Sequence, residues 1–420
     1  MKLILAFLIA SLLSPADTIS VVDASAYIRP EYQPLARGLS ISPAFVPTAG
    51  NQLTIIPDGS LHRKLLFPDL ESAKKNIEIE CLLFSSNQTG EEVVQLLSRK
   101  NSEGVDVKYI HEGLGNFFDN IFDGEAVFSG FFDGMNKRGI DKRDFAPLYR
   151  LWWTFYYPSH RNHRKITTID DDLVYTGGMN YSTQSLSDWK DMHVRIQGPC
   201  VPCFRAIFMD TWNALAFDRK KEVEFNLSVV EDPSAKHDGT IVQAVADGVD
   251  QPARMAQNAL IWVLDNAKRY VWMRTPYLCP TTPLIKAMKR AAARGIDVCI
   301  LIPEISDMKM CEPVNHHYAA ELAKAGIRIQ IIPNEFNHAK VFIADDYLSC
   351  IGSTNLDKLS LKRLYEVNIY IYDEDTALEL KALFDKDLSG SYLVTPELSK
   401  NWNLGEYLGQ AFWVPLDFLL

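Results

Sequence analysis

One spaced pattern occurs twice in the sequence, and this duplication constrains the fold more than any other feature. Both copies read H-x-K-x-x-x-x-D. Seven residues after each Asp comes a small pair, Gly-Gly or Gly-Ser, and an Asn and then an acidic residue follow at matching offsets. The copies are His163, Lys165, Asp170, Gly178, Asn180, Asp191 and His338, Lys340, Asp345, Ser353, Asn355, Glu366. Such a repeat predicts two equivalent structural halves that build one site together.

The residue types in the repeat suit chemistry on a phosphate. A neutral imidazole can attack phosphorus, and a second imidazolium can protonate the departing oxygen. A Lys two residues after a His on an extended strand lies on the same face and can neutralise phosphoryl oxygens. Asn donates hydrogen bonds to these oxygens, and a small residue lets the backbone approach them. The predicted phosphate-binding residues are Lys165, Lys340, Asn180, Asn355, Gly178 and Ser353, with no metal ligand among them.

The acidic residues of the repeat have two predicted roles. Asp191 and Glu366 are expected to hydrogen-bond to the histidines, which fixes the tautomer and stabilises the protonated ring. Which acid serves which histidine is open at this point. Asp170 and Asp345 are candidate catalytic residues, but each ends an apolar strand before a turn-like acidic run. A structural role in a turn is therefore an equal alternative for both.

With these residues identified, the chain resembles the phospholipase D superfamily, whose signature is a duplicated HKD motif. Within it, the chain is most similar to the bacterial cardiolipin synthase branch. The resemblance covers roughly residues 60–390. Its matching segments are Arg161–Lys165, Gly177–Asn180, Trp189–Pro199, Thr275–Tyr277, Ala292–Val298, Gly352–Asp357 and Tyr365–Asn368.

The resemblance implies a two-step phosphatidyl transfer without metal or cofactor. It implies that His163 attacks the phosphodiester to form a phosphohistidine and that His338 protonates the leaving alcohol, although the symmetry of the motif alone permits the reverse. It also implies a phospholipid substrate at a membrane surface. The oligomeric state is not predicted.

Three functions are open on the sequence. The first is cardiolipin synthesis from phosphatidylglycerol, and the second is hydrolysis of phospholipids to phosphatidic acid. The third is cleavage of nucleic-acid phosphodiesters. The net charge of −10 counts against the third, because nucleic-acid binding relies on basic surfaces.

The alternation of helical and strand-like segments predicts an α/β fold. In both halves an apolar strand is followed by a helix and then by a strand that starts at a Gly, Gly104 or Gly295. This order predicts two similar repeats, each a mainly parallel sheet flanked by helices. We assign the repeats to residues 61–230 and 231–395 and expect them to pack about a pseudo-twofold axis with the active site between them.

The N-terminal segments are assigned from composition. Residues 1–26 combine Lys2, an apolar run and the small residues Ala24, Ser25 and Ala26. We predict a secretory signal peptide, with an N-terminal segment lying on a membrane as the alternative, because a bilayer span needs roughly 20 apolar residues. The protein is expected to be membrane-associated or exported, with the cytoplasmic face of a membrane as the alternative. Residues 27–60 are rich in Pro and predict a linker or irregular arm.

Aromatic residues and cysteines complete the predictions. The Phe-rich stretch from Phe117 to Phe132 and the run Leu151–Tyr157 either seat a lipid or pack in the core. Residues 396–420 form an apolar tail that either packs on the catalytic unit or lies at a membrane surface. The seven cysteines show no disulfide pattern, and several are expected to be small core residues.

Overall fold

The computed structural model describes most of the chain. Its described residues are 18–116, 130–147, 160–187, 189–216, 222–232, 239–249, 253–395 and 404–419. Within these ranges the strands are β1 Ile19–Val22, β2 Thr48–Asp58, β3 Asn76–Cys81, β4 Asp106–Glu112, β5 Asp141–Phe145, β6 Ile166–Ile169, β7 Leu173–Gly177, β8 Lys190–Gln197, β9 Leu227–Val230, β10 Thr240–Asp247, β11 Tyr270–Arg274, β12 Asp297–Pro303, β13 Arg328–Ile332, β14 Val341–Ala344, β15 Leu348–Gly352, β16 Glu366–Tyr372 and β17 Tyr392–Leu393.

Three of the described α-helices follow a residue whose side chain caps the helix start. The side chains of Asp58, Asn87 and Asp373 each accept a backbone N–H of the first turn that follows. The α-helices in the described ranges are α1 Gln33–Leu39, α2 Gly59–Ser72, α3 Gln88–Ser102, α4 Phe131–Gly134, α5 Val201–Ala214, α6 Met255–Asn266, α7 Thr282–Ala293, α8 Cys311–Ala323, α9 Glu374–Gly390 and α10 Leu404–Trp413.

Fifteen of the described strands form one sheet, in which β2 and β10 pair antiparallel near the middle. Outward from β2 the order is β8-β7-β6-β3-β4-β5, and outward from β10 it is β16-β15-β14-β11-β12-β13. The two orders are identical when the strands are counted from the start of each half. The prediction of two similar α/β repeats is therefore confirmed, and a pseudo-twofold relation exchanges β2 with β10.

The sheet of each repeat is mixed, which corrects the prediction of mainly parallel sheets. The strands β3, β4 and β5 are parallel, as are β11, β12 and β13. The HKD strands β6 and β14 lie antiparallel to both of their neighbours. Helices connect the parallel strands, whereas short turns join β6 to β7 and β14 to β15, and a short turn can join only antiparallel neighbours.

The predicted linker contains a central strand, so the prediction for residues 27–60 is wrong over Thr48–Asp58. This strand, β2, pairs with β8 and β10 and joins the two repeats. The prolines of this stretch do not mark a linker, because Pro47 and Pro57 lie where a strand tolerates the loss of a backbone N–H. Pro47 precedes the strand, and Pro57 lies between Ile56 and Asp58, where the register shifts. The N-terminal repeat therefore begins at β2, before the predicted boundary at residue 61.

The chain ends contribute to the folded unit where they are described. Residues 1–17 of the predicted signal segment lie outside the described residues. Ala24, in the predicted cleavage site, is buried and donates its N–H to the Pro47 carbonyl at 2.8 Å. Among the described residues, no helix combines the length and apolar character that crossing a bilayer requires.

The remaining apolar segments divide between the core and undescribed parts of the chain. All seven cysteines are buried and free, as expected of core residues. In the C-terminal tail, Trp413 and Val414 pack against the large core cluster. The predicted lipid-seating run Leu151–Tyr157 lies outside the described residues, as do residues 117–129.

Candidate active site

The site lies where the N-terminal ends of the two HKD strands meet. His163 precedes β6 and His338 precedes β14. The backbone N–H of His163 donates to the Tyr365 carbonyl, and that of His338 donates to the Lys190 carbonyl, both at 2.8 Å. Lys190 and Tyr365 are equivalent residues of the two repeats. The histidine of each repeat therefore donates its backbone N–H to the equivalent carbonyl of the other repeat. These two hydrogen bonds bring the two histidines into one site.

Each histidine takes its carboxylate from the other repeat. Nδ1 of His163 lies 3.0 and 2.9 Å from the two carboxylate oxygens of Glu366. Nδ1 of His338 lies 2.8 Å from Oδ2 of Asp191. The pairing that the sequence left open is thus crosswise. A carboxylate at Nδ1 fixes the proton there, and the Nε2 lone pair is left for the substrate.

Burial keeps the resting imidazoles neutral. It lowers the pKa of His163 to about 4, although Glu366 acts in the opposite direction. Burial and the Lys340 charge lower the pKa of His338, against the opposing carboxylates of Asp191 and Asp307. A neutral imidazole held on a carboxylate is the form in which a histidine acts as a nucleophile.

The two carboxyl groups remain ionised in this environment. Burial by itself raises the pKa of Asp191 and of Glu366, but the paired imidazoles and the buried lysines outweigh it. The pKa of each group is lowered as a result. Each carboxylate is therefore available to stabilise an imidazolium that forms during a reaction.

Lys165 and Lys340 are buried amines beside the histidines. Each donates to the carbonyl of the histidine two residues earlier, at 2.8 Å for Lys165 and 2.5 Å for Lys340. Burial lowers the pKa of Lys165 to about 7 and that of Lys340 to about 8. Their charges are costly in the resting protein, so the arrival of a phosphate anion between them is favourable.

The two predicted asparagines follow Gly178 and Ser353 by two residues in their repeats. Both side chains are buried. Oδ1 of Asn180 accepts the Leu83 N–H at 3.3 Å. Oδ1 of Asn355 is buried and has no hydrogen-bond partner among the described residues. The Asn355 amide is thus partly satisfied, because its N–H group hydrogen-bonds to the Asp357 carboxylate while its oxygen is left for a donor on a ligand.

Gly178 and Ser353 serve a different purpose from the predicted one. Their N–H groups donate to the carbonyls of Met192 and Val367, at 2.8 and 3.0 Å, so the backbone is not available to a phosphate. A Cβ at Gly178 would lie 2.0 Å from Oδ1 of Asp191. The Ser353 hydroxyl donates to Glu366. These small residues instead position the two carboxylates that hold the histidines.

The structure does not bring Asp170 and Asp345 into the site, which corrects the prediction that they are candidate catalytic residues. Each lies at the opposite end of its HKD strand from the histidine. The Asp170 carboxylate accepts the N–H groups of residues 74–76 at 2.7–3.2 Å. Asp345 does the same for residues 268–270 at 2.7–3.1 Å. The alternative prediction, a structural turn, accounts for both side chains.

The surroundings of the two histidines differ. The rings of Trp189, Tyr277 and Phe336 lie 5.6, 6.3 and 5.7 Å from that of His338, between centroids. All three are partly exposed, so they line the approach to His338. Two residues before His163, where the other repeat has Phe336, Arg161 forms a buried ion pair with Glu112. The repeat pattern could not reveal this asymmetry, because it lies in the positions that differ between the copies.

Arg164 is a second residue that the repeat pattern missed. Its buried guanidinium donates to the carbonyl of Glu366 at 3.2 Å, to that of Asp247 at 3.0 Å and to the Thr211 hydroxyl at 2.8 Å. It therefore ties the N-terminal HKD motif to the strand that carries Glu366. The equivalent residue of the second copy is Ala339, so comparison of the copies gave no signal.

Comparisons with known proteins give matches over most of the chain. A family model described as "Cardiolipin synthase, PLD-like domain" matches residues 66–212 and 260–388. A cardiolipin synthase of Listeria monocytogenes is 29% identical over 383 residues, which cover 90% of this chain and 75% of that protein. A cardiolipin synthase of Clostridium perfringens is 27% identical over 360 residues, covering 84% of this chain and 73% of that protein.

A solved structure is similar in fold. The phosphatidylserine synthase of Haemophilus influenzae superposes with a TM-score of 0.67 at 14% identity, over 92% of this chain and 98% of that one. At this identity the likeness bears on the fold alone. It extends over both repeats, in agreement with the pseudo-twofold arrangement.

Proposed function

The chain belongs to the phospholipase D-like family that includes the cardiolipin synthase type of domain, and on that premise we propose that it transfers phosphatidyl groups between alcohols. The proposed donor is phosphatidylglycerol, and the proposed product is cardiolipin. The crosswise pairing of two neutral imidazoles with two carboxylates carries the proposal, because it provides a nucleophile and an acid–base on opposite repeats.

In the first proposed step, Nε2 of His163 attacks the phosphorus. A P–N bond forms while the bond from phosphorus to the glycerol oxygen breaks, and the electron pair goes to that oxygen. His338, neutral in the resting protein, takes up a proton from solvent when the phosphodiester anion binds, and as the imidazolium it gives its Nε2 proton to the departing alkoxide. Asp191 and the bound phosphodiester anion stabilise that protonated form. The product of the step is a phosphatidyl-histidine and free glycerol.

In the second proposed step, a hydroxyl of another phosphatidylglycerol attacks the phosphatidyl-histidine. His338, now neutral, accepts the hydroxyl proton, the P–N bond breaks, and His163 recovers its lone pair. Lys165 and Lys340 neutralise the phosphoryl oxygens in both steps, helped by Asn180 and Asn355. We propose that these groups suffice without metal or cofactor.

The second candidate is hydrolysis, in which water replaces the acceptor alcohol and phosphatidic acid is the product. The same residues serve both reactions, so the surroundings of the acceptor decide between them. The aromatic rings of Trp189, Tyr277 and Phe336 favour transfer, because they displace water next to the group that activates the acceptor. The net charge of −10 does not favour a nucleic-acid substrate.

Product analysis on phosphatidylglycerol vesicles tests the proposal, with and without EDTA. Wild type is compared with His163→Ala and with the control His317→Ala, a change on α8 outside the site. We expect cardiolipin and glycerol from wild type and the control, unaffected by EDTA, and neither product from His163→Ala. Phosphatidic acid as the sole product would replace transfer by hydrolysis. No turnover of any phospholipid would refute both.

A further inference from the structure

The C-terminal helix α10 turns large apolar side chains towards solvent. Tyr407, Leu408 and Phe412 are 46%, 62% and 61% exposed. Soluble proteins rarely expose three large apolar side chains together on one short helix unless that surface binds another molecule. The group therefore indicates an interaction surface, and its position and surrounding charge identify the partner.

The opposite side of this helix is firmly held. Gly409 packs so closely on Pro313 of α8 that a Cβ there would lie 3.1 Å from the Pro313 ring. After the helix, the buried carboxylate of Asp417 accepts the Tyr318 hydroxyl at 2.5 Å and pairs with Lys358 at 2.5 Å. The outward side chains thus stand on a fixed support.

This support lies directly beside the proposed site. Sγ of Cys279 lies 3.6 Å from the Asp417 carbonyl oxygen, and Cys279 is two residues beyond Tyr277. Lys358, the partner of Asp417, is three residues beyond Asn355. The C-terminal segment therefore contacts two segments of the second repeat. One carries Tyr277 at the approach to His338, and the other carries Asn355.

A second exposed apolar pair borders the same place. Ile305 and Met308 are 40% and 42% exposed. They flank Asp307, whose carboxylate accepts the Tyr277 hydroxyl at 2.7 Å. The Met308 carbonyl accepts the Cys311 N–H at the start of α8, two residues before the proline that supports α10. Both apolar groups thus meet at the first turn of α8.

A group of cations lies beside the Asp417 end of this support. The exposed amine of Lys362 has a pKa that is lowered by burial and by three neighbouring cations. These cations are Arg254, Lys358 and Arg363, of which Arg254 and Arg363 are exposed. Because Lys358 is paired with Asp417, Arg254, Lys362 and Arg363 are the three exposed cations of the group, and beside an apolar surface they favour an anionic partner with an apolar interior.

We propose that this surface binds an anionic phospholipid membrane. The docking face is defined by Ile305, Met308, Tyr407, Leu408 and Phe412, with the three exposed cations Arg254, Lys362 and Arg363 beside it. The apolar side chains enter the boundary between headgroups and acyl chains, and the cations contact the lipid phosphates. The face lies at the approach to His338, so docking presents headgroups to the site. This inference rests on the proposed function, because it takes a phospholipid as the substrate.

Flotation with vesicles tests the docking face. Leu408→Glu/Phe412→Glu is compared with wild type and with Ile41→Glu, a matched control because Ile41 is 58% exposed on an N-terminal loop. Vesicles contain either phosphatidylcholine alone or phosphatidylcholine with phosphatidylglycerol. We expect the double variant to bind the mixed vesicles at least tenfold more weakly, while Ile41→Glu binds as wild type. A second variant, Arg254→Glu/Lys362→Glu, is expected to lose the preference for phosphatidylglycerol and its sensitivity to salt.

A soluble substrate separates docking from folding and from chemistry. Turnover of short-chain phosphatidylglycerol below its micelle concentration is expected to stay within twofold of wild type in the double variant, while vesicle turnover falls with binding. Unchanged vesicle binding would overturn the proposal, as would a change of oligomeric state without a change in binding, which would assign the face to a second copy of the chain. If wild type turns over no phospholipid and yet binds vesicles through this face, the docking stands and the proposed function fails.

Discussion

Small differences between equivalent residues give the two histidines different surroundings. His163 is held by both oxygens of Glu366, which also accepts the Ser353 hydroxyl. His338 is held by one oxygen of Asp191, where a glycine leaves the space for the shorter carboxylate. Glu366 and Ser353 are thus both larger than their counterparts Asp191 and Gly178, and a hydroxyl contact in one repeat replaces a close backbone approach in the other. The two carboxylates can therefore be tested separately.

Glu366→Gln and Asp191→Asn are expected to impair different steps. With phosphatidyl-p-nitrophenol, whose leaving group needs no acid, Glu366→Gln should slow the nitrophenol burst about 10²- to 10⁴-fold, because His163 loses its orienting charge. Asp191→Asn should keep the burst and slow the steady state, because His338 activates the acceptor. Stopped-flow absorbance measures both phases, with Glu335→Gln as the control. The opposite assignment of burst and steady state would contradict the crosswise pairing.

The pH dependence of kcat/KM is expected to follow the buried lysines. The two lysines that neutralise the phosphoryl oxygens lose their charge as the pH rises, through about 7 for Lys165 and about 8 for Lys340. The rate should therefore fall above this range, by about tenfold per pH unit for each lysine that must be charged. On the acid side His163 stays neutral down to about pH 4, since its pKa is lowered to about 4. A kcat/KM that is constant from pH 6 to 10 would contradict the role of the lysines.

At the scale of elements, the residues that follow β7 and β15 position the carboxylates that hold the histidines. Gly178→Ala places a methyl group within 2.0 Å of Oδ1 of Asp191, whereas Ser353→Ala removes a single hydroxyl and adds no bulk. We expect kcat to fall at least tenfold in Gly178→Ala through displacement of the carboxylate, and several-fold less in Ser353→Ala. Steady-state kinetics on vesicles measures both. Equal losses in the two variants would argue against steric displacement.

The motif aspartates are expected to matter for stability rather than catalysis. Asp170→Ala leaves the N–H groups of residues 74–76 without their carboxylate, and we expect a loss of about 1–3 kcal/mol in the free energy of unfolding. The exposed neighbour Asp172 serves as the control, and its replacement should cost less than about 1 kcal/mol. Urea denaturation gives the stability, and kcat of the folded variant should stay within about twofold of wild type. A hundredfold loss of kcat with unchanged stability would return Asp170 to the catalytic set.

The sequence indicated some elements well and others poorly, for physical reasons. The HKD strands could be predicted because identical side chains recur at identical spacings in both copies. The central strand β2 could not, because its prolines imitate a linker while lying at a strand start and a register shift. The crosswise pairing could not either, since Asp191 and Glu366 have the same spacing from the histidine of their own repeat. Only the packing of one repeat on the other decides which carboxylate each histidine meets.

At the scale of the whole molecule, duplication produces a single site from two repeats. The exchanged backbone bonds of His163 with Tyr365 and of His338 with Lys190 mean that neither repeat holds a complete site. The continuous sheet through β2 and β10 and the buried Arg164 hold the repeats in register. Residues that differ between the repeats, such as Phe336 and Arg161, then give the two sides of the site different properties. This division suits a reaction in which one histidine bonds to phosphorus and the other carries protons.

Trapping of the covalent intermediate tests this division most directly. Protein is mixed with phosphatidyl-p-nitrophenol, whose leaving group needs no acid, then quenched in alkali, digested and analysed by mass spectrometry for a phosphatidyl adduct. We expect an adduct on the peptide with His163 in wild type and in His338→Ala, and none in His163→Ala. An adduct on His338 that is trapped in His163→Ala but not in His338→Ala would contradict it.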